Sequence, residues 1–522
     1  MKSFFSKIGA DFPASVVVFL VALPLCLGIA LGSGAPLFSG IIGGIVGGIV
    51  IGSLSGSNLS VSGPAAGLTA IVSIAILKLQ VYEAFLLAVV IAGVLQFLLG
   101  VFRAGVVGDY VPNSVIKGML AAIGIILILK QLPHLVGYDK DFSGDETFIQ
   151  GDNENTFSGI FYAFNYLTPV ACIIGVISIG ILMLWETKLF KKTKLLKLIP
   201  GPLVVVIVGV ILSKVLAGYD GFSLESKHLV TLPVADNISM FLSFFRFPDL
   251  AYISSVEVWK TGVTLAIVAS LETLLGVEAA DKLDSLKRVT PTNRELKAQG
   301  VGNFVSGMIG GLPLTSVIVR TSANIMAGAQ SKASTIFHGI LLLLTVFFIP
   351  TILNLIPLAA LAAILIFTGY KLAKVSLFRE YYQKGFDQFV PFLVTILAIL
   401  FTDLLIGIIT GIFVGLFFMV RSNFRSSVFI VNDNNKYLLR LRKDVSFLNK
   451  PSIKYKLEQV PANSFVLIDA TRADFIDKDI IEEINNFMVH AGLKNIKVEI
   501  KKSDHKPMHT LFNNNIPKHK IA

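Results

Sequence analysis

The stretch SVSGPAAGLT, Ser60–Thr69, sits inside one of the most apolar regions of a very apolar chain. Gly63 and Pro64 break the run, and Ala65, Ala66 and Gly67 follow where Leu or Ile is expected. Only SLSGSNLSVSG separates it from an apolar span ending near 54, and the apolar run beyond it stops at Leu79. A helix from Pro64 to Leu79 reaches about 24 Å at the α-helical rise, short of the ~30 Å of hydrocarbon in a bilayer. The spacing predicts a helix that starts inside the membrane after extended backbone. Pro64 suits the first helical position, where no backbone donor is needed. Ala65, Ala66 and Gly67 leave the first-turn N–H groups uncovered. Such a helix end carries roughly +0.5 charge and attracts anions.

The composition makes the bilayer the relevant solvent. Of 522 residues, 54% are hydrophobic and 15% charged, against roughly 25% charged in soluble domains. Apolar runs long enough to span recur from Ala14 to Val420. Backbone groups in hydrocarbon must pair internally, so these spans read as helices; the period-2 pattern of a membrane barrel is absent. Hydropathy places fourteen crossings or part-crossings, at 14–31, 36–54, 64–79, 82–102, 114–130, 166–186, 200–217, 260–280, 298–311, 315–330, 334–352, 356–370, 388–402 and 404–421. The first reads as a retained helix, because its apolar run continues through Leu31 without a convincing cleavage site. Cys26 and Cys172 lie inside spans without disulfide or metal spacing and read as small buried hydrophobes.

The net charge of +11 is distributed as membrane topology, not as a nucleic-acid surface. Lys188, Lys191, Lys192, Lys194 and Lys197 follow the sixth span. Lys282, Lys287, Arg288, Arg294 and Lys297 follow the eighth, Lys371, Lys374, Arg379 and Lys384 the twelfth, and Arg421 and Arg425 the last. All these loops fall on one side, with Lys2 and Lys7. The loop after the fifth span holds Asp139, Asp141, Asp145, Glu146, Asp152 and Glu154 against Lys140. The positive-inside rule then puts both termini in the cytoplasm and the acidic loop outside, in a bacterial inner (plasma) membrane surrounded by lipid. The apolar region, 1–430, gives way to a tail, 431–522, that reads as a small α/β domain. SFVLIDA (464–470) and IKVEI (496–500) are its strands, and DKDIIEEINNFMVHA (477–491) its amphipathic helix, with Ile480, Ile484, Phe487 and Met488 on one face. The closing NNNIPKHKIA reads as loose. In the second span Gly40, Gly44, Gly48, Gly52 and Gly56 form a stripe that lets a neighbouring backbone approach.

The broken-helix pattern returns in GGLPLTSVIVRTSANI, 310–325: a Gly-Gly-x-Pro break, then Thr315 and Ser316, then Val317 and a helix. The third and tenth spans lie seven apart, so the two halves have opposite orientation, as an inverted repeat requires, and two positive helix ends can face one midplane pocket. Arg320 lies five residues into the tenth span and Glu272 well within the eighth. A charge at mid-helix costs about 2.5–3.5 kcal/mol on insertion scales and faces a cavity or a partner. An Arg320–Glu272 ion pair is one reading; the other is that Arg320 supplies positive potential and Glu272 tunes it or carries a coupling ion. His338 reads as a polar interfacial residue.

VALPLCLGIALGSGAPLFSGIIGG, SGPAAGLT and LKAQGVGNFVSGMIGGLPLTSVIVRTSANIMAGAQSK together resemble the SulP (sulfate permease) family of anion transporters, over nearly the full chain. The tail is similar to the STAS domain that closes those proteins. The resemblance implies an all-α polytopic protein of fourteen helices in a 7+7 inverted repeat, with a core moving against a gate within a homodimer. It also implies an anion held between the third and tenth helix ends, near Ala65, Ala66, Gly67, Thr69, Thr315, Ser316, Val317 and Arg320, with Glu272 beside it. SGPAAG is closest to the bicarbonate-transporting branch. Sodium-dependent members of that branch carry Asp at 272, Thr at 276 and small residues at 317 and 318; this chain has Glu272, Gly276, Val317 and Ile318. A sodium ion, if one is used, falls at Glu272, Thr315 and Ser316; a proton is the other coupling ion, and no further cofactor is implied. The phosphorylatable Ser of STAS antagonists is replaced around Lys478 and Asp479, which points to a packing or interaction role.

Two helix ends give about +1, Arg320 adds one and an ionised Glu272 removes one. A sum near +1 suits bicarbonate first; sulfate suits a protonated Glu272. The expected function is secondary active transport of a small inorganic anion by alternating access. An anion channel, a proton-coupled sulfate or dicarboxylate transporter, a membrane sensor and a nucleobase transporter are the alternatives. No nucleophile–base set, metal cluster or phosphate loop marks an enzyme.

Overall fold

The computed structural model describes residues 8–141, 148, 155–187, 199–219, 222–235, 237–425, 428–503 and 512. Lys2, Lys7, the basic loop Lys188–Lys197, the acidic residues Asp145, Glu146, Asp152 and Glu154, and the 513–522 end lie outside the described residues.

Each apolar run read from the sequence meets a helix. In chain order these are α1 (Ile8–Gly32), α2 (Leu37–Leu54), α3 (Thr69–Leu79), α4 (Tyr82–Val101), α5 (Asn113–Leu135), α6 (Pro169–Trp185), α7 (Gly201–Leu216) and α8 (Val256–Leu283). There follow α9 (Thr292–Met308), α10 (Ile318–Met326), α11 (Ala333–Phe348), α12 (Leu358–Leu372), α13 (Phe386–Phe401) and α14 (Leu404–Arg425). Among the described residues, seven helices are long and apolar enough to cross a membrane by length and composition. Thr156–Asn165 and α6 form one further candidate, bent by 116°. The fold is that of a mostly helical membrane protein. The sequence reading passed over Thr156–Asn165, Ile238–Ser243, Val375–Gln383 between α12 and α13 and, in the tail, Lys450–Glu458.

The glycine stripe of α2 is a packing surface. A Cβ on Gly44 would sit 2.8 Å from Cys26 Sγ of α1, and one on Gly48 would sit 2.6 Å from Gly339 Cα of α11. Gly47–Ile51 takes a π-helical turn, with Gly47 against the Ser62 carbonyl. Backbone-to-backbone approach at this spacing is what small residues permit in membranes. Elsewhere α5 packs along α12 and α13, and α9 along α4. Cys26 is buried, Cys172 only partly so, and both are free thiols.

Contacts divide the chain into Met1–Ile412 and Phe413–Ala522; the change in composition read from the sequence falls some residues later, near 430. The second unit carries a four-stranded sheet in the order β3 (Val428–Asp433), β4 (Lys436–Val445), β5 (Phe465–Ile476) and β6 (Lys497–Lys501). The β3–β4 pair is antiparallel, whereas β4–β5 and β5–β6 are parallel. The hairpin turns on Asn434 and Asn435, both at positive φ, a backbone that Asn tolerates. Parallel neighbours need crossovers, and Lys450–Glu458 (α15) and Lys478–Ala491 (α16) supply them. Ile453, Leu457, Ile480, Ile484 and Met488 bury against the sheet. The expected strands and helix are present; the β3–β4 hairpin was not expected.

Candidate functional site

The two broken stretches meet. Residues Ser62–Pro64 (β1) and Leu314–Ser316 (β2) pair antiparallel, with Ser62 opposite Ser316, Gly63 opposite Thr315 and Pro64 opposite Leu314. Chain direction therefore reverses between them, and the helix each one feeds starts at this crossing. Pro64 is a strand residue, not the first residue of a helix. The helical turn begins as a 3-10 segment at Ala66–Leu68 behind an extended Ala65, and α3 proper begins at Thr69. Proline's fixed φ fits an extended residue as well as a first helical turn, and its missing donor is harmless at a strand edge. α10 starts at Ile318 behind an extended Val317.

Buried polar side chains hold this crossing, because irregular backbone at membrane depth must find partners in protein. The Val61 N–H donates to Thr321 Oγ1 at 3.0 Å, and the Val317 N–H to the Val61 carbonyl at 2.9 Å. Asn303 of α9 donates to the Leu314 carbonyl at 3.0 Å and accepts from the Leu314 N–H at 2.6 Å. Ser60 and Ser316 hydroxyls lie 2.6 Å apart. Gln299 donates to Ser62 Oγ at 2.6 Å and to Glu295 at 3.1 Å. Asn324 donates to the Leu59 carbonyl at 2.9 Å. Thr321 and Asn324 belong to the Arg-Thr and Asn pattern that carries the family resemblance, whereas Gln299 and Asn303 were not singled out in the sequence. Their signal was available: two amide residues inside an apolar stretch.

A cavity of about 40 Å³ opens beside the crossing. Of the residues expected there, Ala65, Ala66, Gly67, Glu272, Thr315, Ser316 and Val317 line it. Thr69 does not, and neither does Arg320. Instead Arg320 is fully buried behind the strands; its guanidinium lies against Gly63, where a Cβ would overlap Nη1, and Nη2 donates to the Pro64 carbonyl at 3.3 Å. Its positive charge thus acts on the cavity through the strand pair, not by contact. Glu272 is 8% exposed and faces Gly67, where a Cβ would overlap its Oε1. Gly276, one turn on, lies against the Ser316 carbonyl with no room for a side chain. His338 is not interfacial: it is fully buried in α11, within the electrostatic reach of Arg320. The rest of the lining comes from Leu275 of α8, Ile318 and Val319 of α10, Met119 and Ile123 of α5, and Leu404, Leu405 and Ile408 of α14. Apolar residues in an apolar chain carry no local signal.

The geometry is thus a small chamber at two helix N-termini, with one carboxylate in its wall and one guanidinium behind it. A chamber of this size takes an ion of a few atoms, against the 300–1,000 Å³ typical of drug-sized ligand sites.

The sequence profile of the Sulfate permease family matches residues 8–398. "Putative sulfate transporter YvdB" of Bacillus subtilis is 27% identical over 443 residues, covering 84% of this chain and 78% of that protein. "Bicarbonate transporter BicA" of a Picosynechococcus species is 24% identical over 420 residues, covering 78% of this chain and 69% of that protein. Among solved structures, the transmembrane domain of a cyanobacterial bicarbonate transporter BicA is similar in fold, with a TM-score of 0.56 at 22% identity, over 78% of this chain and 98% of that one. The overall structure of SLC26A9 gives a TM-score of 0.66 at 17% identity, over 97% of this chain and 86% of that one. Members of the matching family are anion transporters, not enzymes. With three quarters of its length inside that profile, the chain belongs to the sulfate permease family.

Proposed function

We propose that this chain is a secondary active transporter of a small inorganic anion, bicarbonate ahead of sulfate, working by alternating access. The observation that carries the reading is the β1–β2 crossing, which sets the N-termini of α3 and α10 at one 40 Å³ chamber. The anion sits against the backbone of 65–67 and 315–317, and Arg320 supplies potential from behind. Fourteen helices in two inverted repeats of seven divide into a core, α1–α4 with α8–α11, and a gate, α5–α7 with α12–α14. The core carries the anion past the gate. A homodimer in the plasma membrane, both termini cytoplasmic, and a STAS-like fold for 431–522 complete the picture.

Glu272 is the coupling residue, and a proton suits it better than sodium. A sodium site needs several oxygen ligands, and at Gly276 the space for one more is filled by the Ser316 carbonyl. Protonating Glu272 raises the local charge sum by one, which favours anion loading from the acidic side.

The test is uptake into proteoliposomes of labelled bicarbonate, sulfate and a dicarboxylate, each under an imposed sodium or proton gradient. Saturable uptake with counterflow is expected, lost in Arg320→Ala. Conductance without saturation or counterflow would point to the channel reading, and anion binding without flux to a sensor.

A further inference from the structure

A second cluster of buried ionisable groups lies away from the chamber. Asp139, four residues beyond the end of α5, is held between two histidines. His134 Nδ1 lies 2.5 Å from Asp139 Oδ1, and His228 Nδ1 lies 2.6 Å from Oδ2. The side chains are 4%, 3% and 6% exposed for His134, Asp139 and His228. An ionised carboxylate only accepts, so each ring donates its Nδ1–H and leaves Nε2 to take a proton.

The three groups come from separate parts of the chain. His134 is in the last turn of α5, the helix that gives Met119 and Ile123 to the chamber wall. His228 ends a 3-10 turn at Ser226–His228 in the segment joining α7 to α8. That segment continues as a strap onto the start of α12. Leu229 bridges Pro357, the Val230 N–H donates to the Ile356 carbonyl at 3.0 Å, and Leu232 and Asn354 exchange bonds of 2.6 and 3.1 Å. The cluster therefore ties one end of α5, through the strap, to the beginning of α12.

We infer that His134, Asp139 and His228 form a pH-sensitive clamp that fastens the 226–232 strap, and with it the neighbouring ends of α5 and α12. The orientation proposed above puts this clamp on the outer face. That choice of face, and the consequence for transport, rest on the proposed function; the clamp itself does not.

The sign follows from the charges. With both rings neutral, the cluster carries one buried negative charge. A proton added to either ring turns its hydrogen bond to the carboxylate into an ion pair, which strengthens it. Acidification therefore tightens the clamp. It fails only in stronger acid, once Asp139 itself protonates. Burial pushes the Asp139 carboxyl up, but the hydrogen bonds and charge of His134 and His228 outweigh this and hold it below its usual range. Other ionisable groups nearby are Lys130 in α5, Tyr138, Lys140 and Asp141 beside Asp139, Cys172 in α6, and Glu225 and Lys227 beside His228. Lys227 lies 2.7 Å from Glu225, and residues 349–358, under the strap, hold no ionisable side chain. A tighter strap restrains the outer ends of α5 and α12 and slows gate opening at low external pH.

The test uses the full chain in detergent and needs no anion, so its outcome is independent of the transport assay. Hydrogen exchange of a peptide covering 225–232 is followed from pH 8 to pH 5.5 and corrected for intrinsic exchange, alongside the thermal midpoint. In the wild type, protection is expected to rise at least threefold across the window. In His228→Gln and Asp139→Asn, the rise is expected to vanish. His228→Gln keeps a donor on a loop, so it guards against a simple folding defect. A wild type with no rise, or variants that keep the wild-type pH dependence, would overturn the clamp.

Discussion

Replacing Glu272 with glutamine keeps the size of the side chain and removes one negative charge from the chamber wall. The carboxylate lies so close to the backbone before α3 that a Cβ on Gly67 would overlap Oε1. An anion in so small a chamber sits roughly 5 Å from that charge, and at an effective dielectric of about 20 the two repel by about 3 kcal/mol. That corresponds to about a hundredfold in affinity. Arg320 and mobile ions screen part of it, so a gain of about tenfold or more is expected for a monovalent anion. The same substitution removes the proposed proton site and mimics its protonated state permanently. With one proton per anion, each unit of pH gradient is worth about 1.4 kcal/mol, or about tenfold accumulation. The assay is uptake of labelled bicarbonate and sulfate into proteoliposomes at clamped voltage, with and without an inward pH gradient of about one unit. Glu272→Gln is expected to lower KM, keep counterflow and lose accumulation. If the variant still concentrates the anion as the wild type does, Glu272 does not carry the proton. If its affinity is unchanged, the electrostatic account of the chamber is wrong.

Gly63→Ala drives a methyl into the guanidinium of the fully buried Arg320. Overpacking of about 1–3 kcal/mol is expected, read as a lower thermal midpoint and reduced uptake. Asn303→Leu strips the buried Leu314 N–H and carbonyl of their side-chain partner. At about 1–3 kcal/mol for each unsatisfied group, the purified protein should unfold several degrees earlier and transport poorly. Gly276→Thr adds the hydroxyl that a sodium site would use but pushes its Cβ into the Ser316 carbonyl. Uptake is expected to fall under every gradient; a gain of sodium-driven uptake would show that the Glu272 region accepts a metal after all.

The sequence showed most of what hydropathy and breakers can encode. Pro64 and Pro313 marked two interruptions seven spans apart, and the structure brings them to one antiparallel crossing in which Pro64 faces Leu314. That Pro64 would be extended rather than helical was not decidable, since proline's φ fits both and only the partner strand selects between them. Arg320 was legible as a buried charge, but not its direction. A side chain at this position could enter the chamber or pass behind β1, and the vacancy at Gly63 settles it. His338 looked interfacial because it lies near the start of α11; its burial depends on α2 packing close through Gly48 and Gly339, a tertiary fact. The β3–β4 hairpin was readable from VFIVNDNNKYLLRL, with Asn-Asn between two apolar runs. It was obscured because its first strand follows directly on an apolar helix, and hydropathy does not distinguish the end of one from the start of the other.

The two walls of the chamber differ in what they offer an anion, and this bears on carrier against channel. On the side of β2, α8, α10 and the turn before α3 stand the small residues 65–67, Thr315, Ser316 and Glu272, interleaved with Leu275 and 317–319. On the other, Met119, Ile123, Leu404, Leu405 and Ile408 present only hydrocarbon and thioether. A channel works by giving the ion successive partners along its path, each favourable enough to enter and weak enough to leave. Here an anion that leaves the polar wall meets a surface that cannot replace its hydration. The lower-energy course is to stay with the wall that binds it and be exposed to one side or the other as that wall moves. An apolar facing surface also suits such motion, because sliding past it breaks no hydrogen bonds. The carrier reading therefore rests on the asymmetry of the chamber as much as on the helix ends that form it.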